Sequence, residues 1–340
     1  MIDPSNAAMT NLMDIHKKIW DDCLLDAAGI SEARLARISE SGEVAGRLTT
    51  EAAGQLGLSS SVKVINGGHD QYCAAIGTGA IEAGQLFLSA GTAWVLIGVL
   101  DKPIFNPNTY IAIGRHIIKG LWGALVSVPT GGVAMEWFKE NFGIKLVSGN
   151  QDAKVLDESL KDIDKKALGL MERARNVYFY PYFTGSGYPN YNTDVKAALI
   201  GLGLEHDRYD MALAVMEGIA FEINHAIEEF REKGCKLDNL RMIGGGSKST
   251  LWTDIIANVT GIPVIRLKHT EAACAGAAII AGVGCGIFND YTDGCSHIIR
   301  EETIVAVDDS KREFYKAKYG KYKQGIKAIE EFFNLTNILR

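Results

Sequence analysis

The clearest hydrophobic pattern in the chain lies between residues 208 and 233. Apolar residues recur there at spacings of three and four, the period of one helix face: Leu213, Met216, Ala220, Ile223, Ile227 and Phe230. Asp207 stands where a side chain can cap the first turn, and Gly234 stands where glycine commonly ends a helix. The pattern therefore predicts one long amphipathic helix.

Short apolar and β-branched runs predict strands, and glycines separate several of them. Residues 85–89 and 93–100 flank Gly91, which predicts a hairpin. Further strands are expected at 62–66, 124–128, 178–183, 239–243 and 264–267. Further helices are expected near 20–28, from 133, in the charged stretch 145–175, after 250, over 272–288 and over the last thirty residues. Because these elements are mixed throughout, the chain is expected to be an α/β protein.

Composition and charge narrow the classes of protein. The chain has 340 residues, enough for one large or two ordinary domains, and its net charge is −6 without a dense Lys/Arg block, so no nucleic-acid partner is expected. Six cysteines without a C-x-x-C pair, and a start MIDPSNAAMT without a signal-peptide pattern, favour a cytoplasmic protein. The uncharged run 272–288 is short for a membrane span of roughly 20 residues, so we expect a buried helix and no membrane.

The segment Gly67-Gly68-His69-Asp70-Gln71 follows one of the β-like runs. The two glycines allow a sharp turn and the close approach of a ligand. A carboxylate followed by an amide suits a proton acceptor beside a hydroxyl-binding group. The same residues also fit a turn in which Asp70 caps the next helix, and the segment taken alone favours that turn.

Two more glycine turns could hold phosphate groups. Residues 89–92, Ser-Ala-Gly-Thr, offer free N–H groups and a hydroxyl, although their spacing alone favours an ordinary hairpin turn. Residues 244–249, Gly-Gly-Gly-Ser-Lys-Ser, follow a strand and precede a helix, which is compatible with a nucleotide. Their spacing matches neither the P-loop nor the dinucleotide fingerprint, and we interpret Lys248 as a solvated first-turn residue.

The histidines do not indicate a metal centre. His69 adjoins Asp70 and could line a site. The others show no metal-ligand spacing, so no protein-held metal is predicted: His16, His116, His206, His225, His269 and His297. The chain also lacks the G-x-S-x-G motif of α/β-hydrolases.

Taken together and in order, these segments resemble the FGGY carbohydrate kinases, the family of xylulokinase, gluconokinase and glycerol kinase. Each segment alone is weakly specific, but the ordered series spans nearly the whole chain. The segments are DPSNAAMTNLMDI, GGHDQYCAAIGTGAIEAGQ, LSAGTAW, PTGGVAMEWF, YFTGSGYPNYN, GLGLEHDRYDMALAVMEGIAFEI, MIGGGSKSTLWTDIIANVTGIPV and EAACAGAAIIAGVGCG.

The resemblance implies an actin-like (ribonuclease H-like) α/β fold with two domains and a cleft between them. ATP would supply its γ-phosphoryl group to a hydroxyl of a sugar or polyol, with Mg²⁺ bound through the nucleotide. Residues 61–340 would form the second, ATP-binding domain, and residues 1–60 the tail of the first.

The resemblance also implies roles for individual residues. Asp70 would be the general base, and Gln71 would contact the substrate beside it. The nucleotide-binding residues would be Gly91 and Thr92 near the phosphates, Gly132 beside the nucleotide, Gly244, Gly245 and Gly246 bordering the adenosine, and Ser249 at the base or ribose.

One expected motif is missing from the sequence. The family's Asp-x-Gly-Thr phosphate motif is not found, so most of the first domain, with an aspartate that helps to hold Mg²⁺, is expected to be absent. The chain could be a truncated kinase, half of a split kinase completed by a separate chain, or a nucleotide-binding or regulatory module without catalysis. Self-association is a further option. The glycine spacing disfavours a dinucleotide-dependent oxidoreductase.

The sequence does not name the sugar. Trp94 in GTAW and the loop GSGYP depart from the residues usual in the family. Discrimination among sugars depends on hydrogen bonds to individual hydroxyls, and the missing region would supply much of that pocket.

Overall fold

The computed structural model describes residues 1–142, 153–189, 191–268 and 271–337. Within these ranges the helices are α1 (Pro4–Met9), α2 (Asp22–Ala28), α3 (Thr50–Leu56), α4 (Asp70–Thr78), α5 (Gly131–Phe142), α6 (Ala153–Ala167), α7 (Arg208–Glu232), α8 (Thr250–Thr260), α9 (Ala272–Cys285), α10 (Tyr291–Ile298) and α11 (Asp309–Asn337). Short 3₁₀ turns lie at Glu32–Arg34 and Gly245–Lys248.

The strands in the same ranges are β1 (Met13–Asp14), β2 (Ile19–Trp20), β3 (Val44–Arg47), β4 (Lys63–Ile65), β5 (Gln85–Ala90), β6 (Trp94–Leu100), β7 (Ala112–Arg115), β8 (Trp122–Val128), β9 (Tyr178–Tyr180), β10 (Ala198–Ile200), β11 (Asn239–Ile243), β12 (Val264–Leu267) and β13 (Glu301–Val305). The large sheet has the order β13-β12-β11-β5-β6-β8-β7. β5, β11 and β12 run parallel, whereas neighbouring strands in the row β5-β6-β8-β7 pair antiparallel.

Helices cover both faces of this sheet. Successive strand residues point to opposite faces, so Leu86 and Leu88 of β5 pack with α7 and α8, whereas Phe87 packs with α4 and α9. Burial on both faces explains why the central strands read as nearly continuous apolar runs. The mixed sheet between two helical layers confirms the predicted α/β class.

Helix α7 is the long helix that the apolar stripe predicts. Asp207 accepts a hydrogen bond from the N–H of Tyr209, and Asp210 completes a capping box with the N–H of Asp207. All members of the stripe are buried. Gly234 follows the helix with φ of +81°, a conformation that favours glycine, so both predicted ends are confirmed.

Helix α9 packs closely on α4 through small residues. A Cβ added at Gly77 would lie under 3.0 Å from the carbonyl oxygen of Ala272, and one at Gly276 would collide with Cys73 in the same way. The predicted helix within 272–288 is therefore present, with close backbone contacts on one face. Its other face, which includes Ala277 and Ala278, is exposed.

The first 65 residues form a small region of short elements around Ala7, Ala8, Met13, Trp20 and Leu25. Strands β1 and β2 form a hairpin, and β3 and β4 pair separately from the large sheet. Helix α1 packs against β7, and Ser5 at its start accepts a hydrogen bond from the N–H of His69 at 2.9 Å. These contacts fix the N-terminal region beside α4.

Most of the predicted elements occur, with shifted ends. The hairpin 85–89 and 93–100 becomes β5 and β6, and the strands predicted at 239–243 and 264–267 match β11 and β12. The charged stretch 145–175 contains α6, while residues 143–152, Asn190 and His269 lie outside the described residues.

Candidate active site

The two glycine turns meet at one edge of the large sheet. Strands β5 and β11 run parallel, with Ile243 beside Ser89, so the segments that follow both strands leave the same edge. Gly244 has φ of +92°, and a Cβ there would lie 2.7 Å from the carbonyl carbon and oxygen of Ala90. Both the conformation and the close approach therefore require glycine at position 244.

A third segment joins the turns at the start of α5. Val128, the last residue of β8, pairs with Trp94, so β8 ends at the same edge. A Cβ on Gly132 would lie under 3.0 Å from the carbonyl oxygen of Gly91, and the N–H of Val133 donates to the carbonyl oxygen of Thr92 at 3.0 Å. The β5–β6 turn is thus held directly against the N-terminus of α5.

These three segments surround a cavity of about 370 Å³. This volume lies in the range of small-molecule sites, roughly 300–1,000 Å³. The lining residues are Ala90, Gly91, Thr92, Gly132, Met135, Glu136, Lys139, Leu160, Gly245, Gly246, Lys248 and Trp252. Five of the predicted nucleotide-binding residues, namely Gly91, Thr92, Gly132, Gly245 and Gly246, therefore line one cavity.

The cavity combines groups suited to the two ends of a nucleotide. Lys139 and Lys248 line the cavity together with the glycines of the turns, and their positive charge attracts phosphate. Met135, Leu160 and Trp252 supply apolar surface against which a flat heterocycle can pack. The arrangement can hold a phosphorylated ligand with an apolar or aromatic part.

Some lining residues are not indicated by the sequence motifs. Lys248 is exposed in the 3₁₀ turn, as expected for a solvated residue, but it also lines the cavity. Glu136 and Lys139 are missing from the predicted set. Glu136 lies four residues after Gly132, and Lys139 three residues after Glu136, so all three lie on the same face of α5. This helical spacing is the pattern in the sequence that could have identified both residues.

Two predicted nucleotide-binding residues, Gly244 and Ser249, are not among the residues that line the cavity. Gly244 supports the turn through its contact with Ala90. Ser249 is buried and caps α8: its Oγ accepts from the N–H of Trp252 at 2.9 Å and donates to Asp164 Oδ1 at 2.6 Å. The structure gives Ser249 a capping role, and its contact with a base or ribose stays a prediction.

Asp70 is the first residue of α4 and is not among the residues that line the cavity. His69, and not Asp70, occupies the N-cap position, contrary to the capped-turn alternative. The Asp70 side chain is 71% exposed, and its Oδ1 accepts from the N–H of Gln71 at 2.6 Å. The carboxylate therefore faces solvent in this chain, and the hydrogen bond to Oδ1 holds its orientation.

Gln71 and its neighbours bury polar atoms without partners. Within the described residues, Gln71 Oε1, the Tyr72 hydroxyl and His116 Nε2 are buried and make no hydrogen bond. Burial lowers the pKa of His116 to about 3, so its ring is neutral, and Nδ1 accepts from the N–H of Ile118. Because unpaired buried polar atoms are costly, Gln71 Oε1 is a candidate acceptor for a ligand hydroxyl.

Two negative findings apply to the described part of the chain. No group of three or more His, Cys, Asp or Glu side chains there is arranged to hold a metal ion. None of its helices is both long enough and apolar enough to cross a bilayer.

The mixed sheet between two helical layers is that of the actin-like (ribonuclease H-like) α/β proteins. The xylulose kinase from Rhodospirillum rubrum superposes with a TM-score of 0.88 at 22% identity, over 98% of this chain and 65% of that one. Residues 86–285 match the C-terminal domain of the FGGY family of carbohydrate kinases, and residues 1–77 match its N-terminal domain. The chain belongs to this family.

Sequence relatives agree with this assignment. The xylulose kinase of Bacillus subtilis (strain 168) is 28% identical over 319 residues, which cover 94% of this chain and 62% of the relative. An autoinducer-2 kinase of Yersinia enterocolitica is 30% identical over 326 residues, covering 93% and 60%. This chain thus spans less than two thirds of the length of these relatives. The predicted division near residue 60 stays a prediction.

Proposed function

We propose that this chain carries the nucleotide site and the general base of an ATP-dependent kinase that phosphorylates a hydroxyl of a sugar or polyol. The observation that carries the proposal is the convergence of Gly91, Gly132 and Gly245 around one cavity, in a chain that belongs to the FGGY family. Backbone turns that expose N–H groups suit phosphate, and phosphoryl transfer depends mainly on positioning and charge stabilisation.

Asp70 is the proposed general base. Its Oδ1 is held by the N–H of Gln71, and Oδ2 has no hydrogen-bond partner among the described residues, so Oδ2 can accept the proton of an attacking hydroxyl. Gln71 Oε1 can accept a hydrogen bond from a second hydroxyl and so orient the sugar. The proposed nucleotide-binding residues are those of the cavity, together with Gly244 and Ser249 as supports of its turn.

Mg²⁺ is proposed to bind through the nucleotide phosphates, where it would neutralise charge during transfer. This fits the cavity, in which Glu136 is the sole carboxylate among the lining residues. The chain's own contribution to charge stabilisation would come from Lys139, Lys248 and the backbone N–H groups of the turns.

The proposed substrate is a small polyhydroxylated compound. The relatives bear the names xylulose kinase and autoinducer-2 kinase, which favours substrates of this class without choosing among them. Because Asp70 faces solvent, we further propose that a separate chain, or a second copy of this one, closes the sugar side of the site.

The alternative is a nucleotide-binding or regulatory module without catalysis. It is favoured by one observation, that Asp70 is not among the residues that line the cavity. The two functions differ in whether ATP consumption depends on a sugar.

The deciding experiment measures ADP release with a panel of ketoses, aldonates and polyols. It uses this chain alone and mixed with a polypeptide that carries an Asp-x-Gly-Thr phosphate motif. We expect ADP release that requires one sugar class. ATP binding without sugar-dependent turnover in every mixture would favour the binding module, and absence of ATP binding would contradict both functions.

A further inference from the structure

Helix α6 makes an unexpected contribution to the cavity. Its residue Asp164 lies 86 positions from Thr250, yet both of its carboxylate oxygens bond to the start of α8. Oδ1 accepts from the Ser249 hydroxyl at 2.6 Å, and Oδ2 accepts from the N–H of Thr250 at 3.0 Å. Asp164 is only 9% exposed and is not among the residues that line the cavity.

The start of α8 is continuous with the glycine turn of the cavity. The N–H of Ser249 donates to the carbonyl oxygen of Gly246 at 3.3 Å, so Ser249 closes the 3₁₀ turn. Trp252 lies in the first turn of α8 and lines the cavity, with its indole N–H bonded to the carbonyl oxygen of Met216. Ser249 is therefore hydrogen-bonded to two residues that line the cavity, Gly246 and Trp252.

The charge of Asp164 suits this position. A carboxylate at a helix N-terminus is stabilised by the unpaired N–H groups and by the helix dipole. Burial raises the pKa of Asp164, and the hydrogen bonds from Ser249 and from the α8 backbone oppose that rise. Leu160, one turn earlier on α6, lines the cavity, so the same helix both borders the site and anchors its turn.

We propose that Asp164 is a positioning residue for the nucleotide. It holds Ser249 and Thr250 so that Gly245, Gly246 and Trp252 stay in the geometry that forms the cavity. This inference rests on the proposed function, because it concerns the same cavity. Loss of the carboxylate should weaken nucleotide binding without altering the chemical step, since Asp164 bonds to Ser249 and Thr250 and is not among the residues that line the cavity.

The conservative variant Asp164→Asn tests positioning with little change in side-chain size, so the chain should still fold. The amide oxygen can still accept from one donor, but the amide nitrogen is itself a donor and cannot pair with the N–H of Thr250. Asp164→Ala removes both acceptors. The matched control is Asp162→Asn on the same helix, because Asp162 is 45% exposed and pairs with Lys166 at the surface.

The test combines two measurements on the whole chain. Hydrogen exchange of the peptide that spans residues 244–252 reports on positioning without any nucleotide. Titration with ATP reports on affinity. We expect faster exchange and about tenfold weaker ATP binding in Asp164→Asn, with a larger loss in Asp164→Ala, since one or two hydrogen bonds of a charged group are lost. Asp162→Asn should match the wild type.

Three outcomes would overturn the inference. The first is exchange at 244–252 that is unchanged in both Asp164 variants. The second is ATP affinity that is unchanged although exchange rises. The third applies to an active assembly, where KM for ATP should rise with kcat and the sugar KM unchanged: a fall of kcat by the same factor as the rise in KM would contradict the inference. If the wild type binds no ATP, the proposed function fails, and faster exchange alone would then assign Asp164 a purely structural role.

Discussion

Gly132 and Gly91 meet backbone to backbone, so closely that a Cβ on Gly132 would lie under 3.0 Å from the carbonyl oxygen of Gly91. The two residues are 41 positions apart and belong to different elements, the start of α5 and the β5–β6 turn. Both residues line the cavity, so their contact fixes part of its wall. Trp94 lies beneath it, where a Cβ on Gly131 would strike its ring.

Gly132→Ala should therefore weaken nucleotide binding. Neither backbone can move aside cheaply, so the methyl group must push α5 away from the turn. We expect a lower melting temperature, since overpacking costs about 1–3 kcal/mol. We also expect an ATP affinity about tenfold lower, because the displaced turn lines the cavity. The control is Gly54→Ala in α3, where a Cβ meets nothing within 4 Å. Wild-type affinity in Gly132→Ala would contradict this view of the cavity.

Asp70→Asn and Asp70→Ala should abolish sugar-dependent phosphoryl transfer and leave ATP binding largely intact. A positioned general base contributes about 10²- to 10⁴-fold to rate, whereas Asp70 is not among the residues that line the cavity. Because its side chain is 71% exposed, the melting temperature should change little.

The assay is the sugar-dependent release of ADP, measured beside an ATP titration. Asp22→Asn, an exposed first-turn residue of α2, is the matched control and should behave as wild type. Turnover like that of the wild type in either Asp70 variant would rule out its assignment as the general base.

Local patterns in the sequence predict much of the fold. Helix α7 and the hairpin of β5 and β6 follow from the helix and strand periods of their apolar residues. These periods can be read within one short segment of the sequence. Strand β13 is not predicted because Glu301, Glu302 and Thr303 are exposed at the edge of the sheet and show no apolar alternation. In the part of the chain that the structure describes, β7 lies at the opposite edge and pairs with β8 alone. Its run Ala-Ile-Gly-Arg is too short to show a strand pattern.

The candidate site divides in the same way. The glycine turns are visible in the sequence because Gly244, with φ of +92°, has a conformation that favours glycine, and a Cβ on Gly246 would lie 2.8 Å from the ring of Trp94. The pairing of Asp164 with Ser249 is not visible in the sequence. It joins two helices that are distant in sequence, and either helix could expose its polar side chain to solvent instead. Local motifs thus indicate the turns of the cavity, whereas the contacts that fix those turns depend on the tertiary structure.

Glu222 should make the stability of the protein depend on pH. Its carboxylate is buried, and burial raises its pKa from 4.5 to about 7, against the opposing hydrogen bonds from Tyr322 and Tyr182. Between these two values the unfolded chain releases a proton that the folded chain keeps, so stability falls as pH rises. Above pH 7 the free energy of unfolding stays about 3 kcal/mol lower than its value below pH 4.5.

Glu222→Gln keeps an oxygen that can accept from both tyrosines but does not titrate. The melting temperature of this variant relative to the wild type should rise from pH 4.5 to pH 7 and then stay constant. Glu232→Gln, at an exposed position of the same helix, controls for the general change of charge. A difference that is independent of pH, or that shrinks as pH rises, would contradict the prediction.

Two glycines in α11 should respond oppositely to the same substitution. At Gly320 a Cβ meets nothing within 4 Å, so Gly320→Ala should stabilise the protein by about 0.5–1 kcal/mol through the lower backbone entropy of the unfolded chain. At Gly325 a Cβ would collide with the hydroxyl of Tyr180.

Tyr180 cannot easily move away from Gly325. Its ring stacks on Tyr322 with centroids 4.5 Å apart, and its hydroxyl donates to the carbonyl oxygen of Tyr322 at 3.2 Å. Gly325→Ala should therefore destabilise the protein by about 1–3 kcal/mol, measured by urea denaturation. Gly325→Ala with Tyr180→Phe should recover part of this loss, because the colliding oxygen is gone. Equal stabilisation by both single substitutions would show that α11 does not pack on Tyr180 in solution.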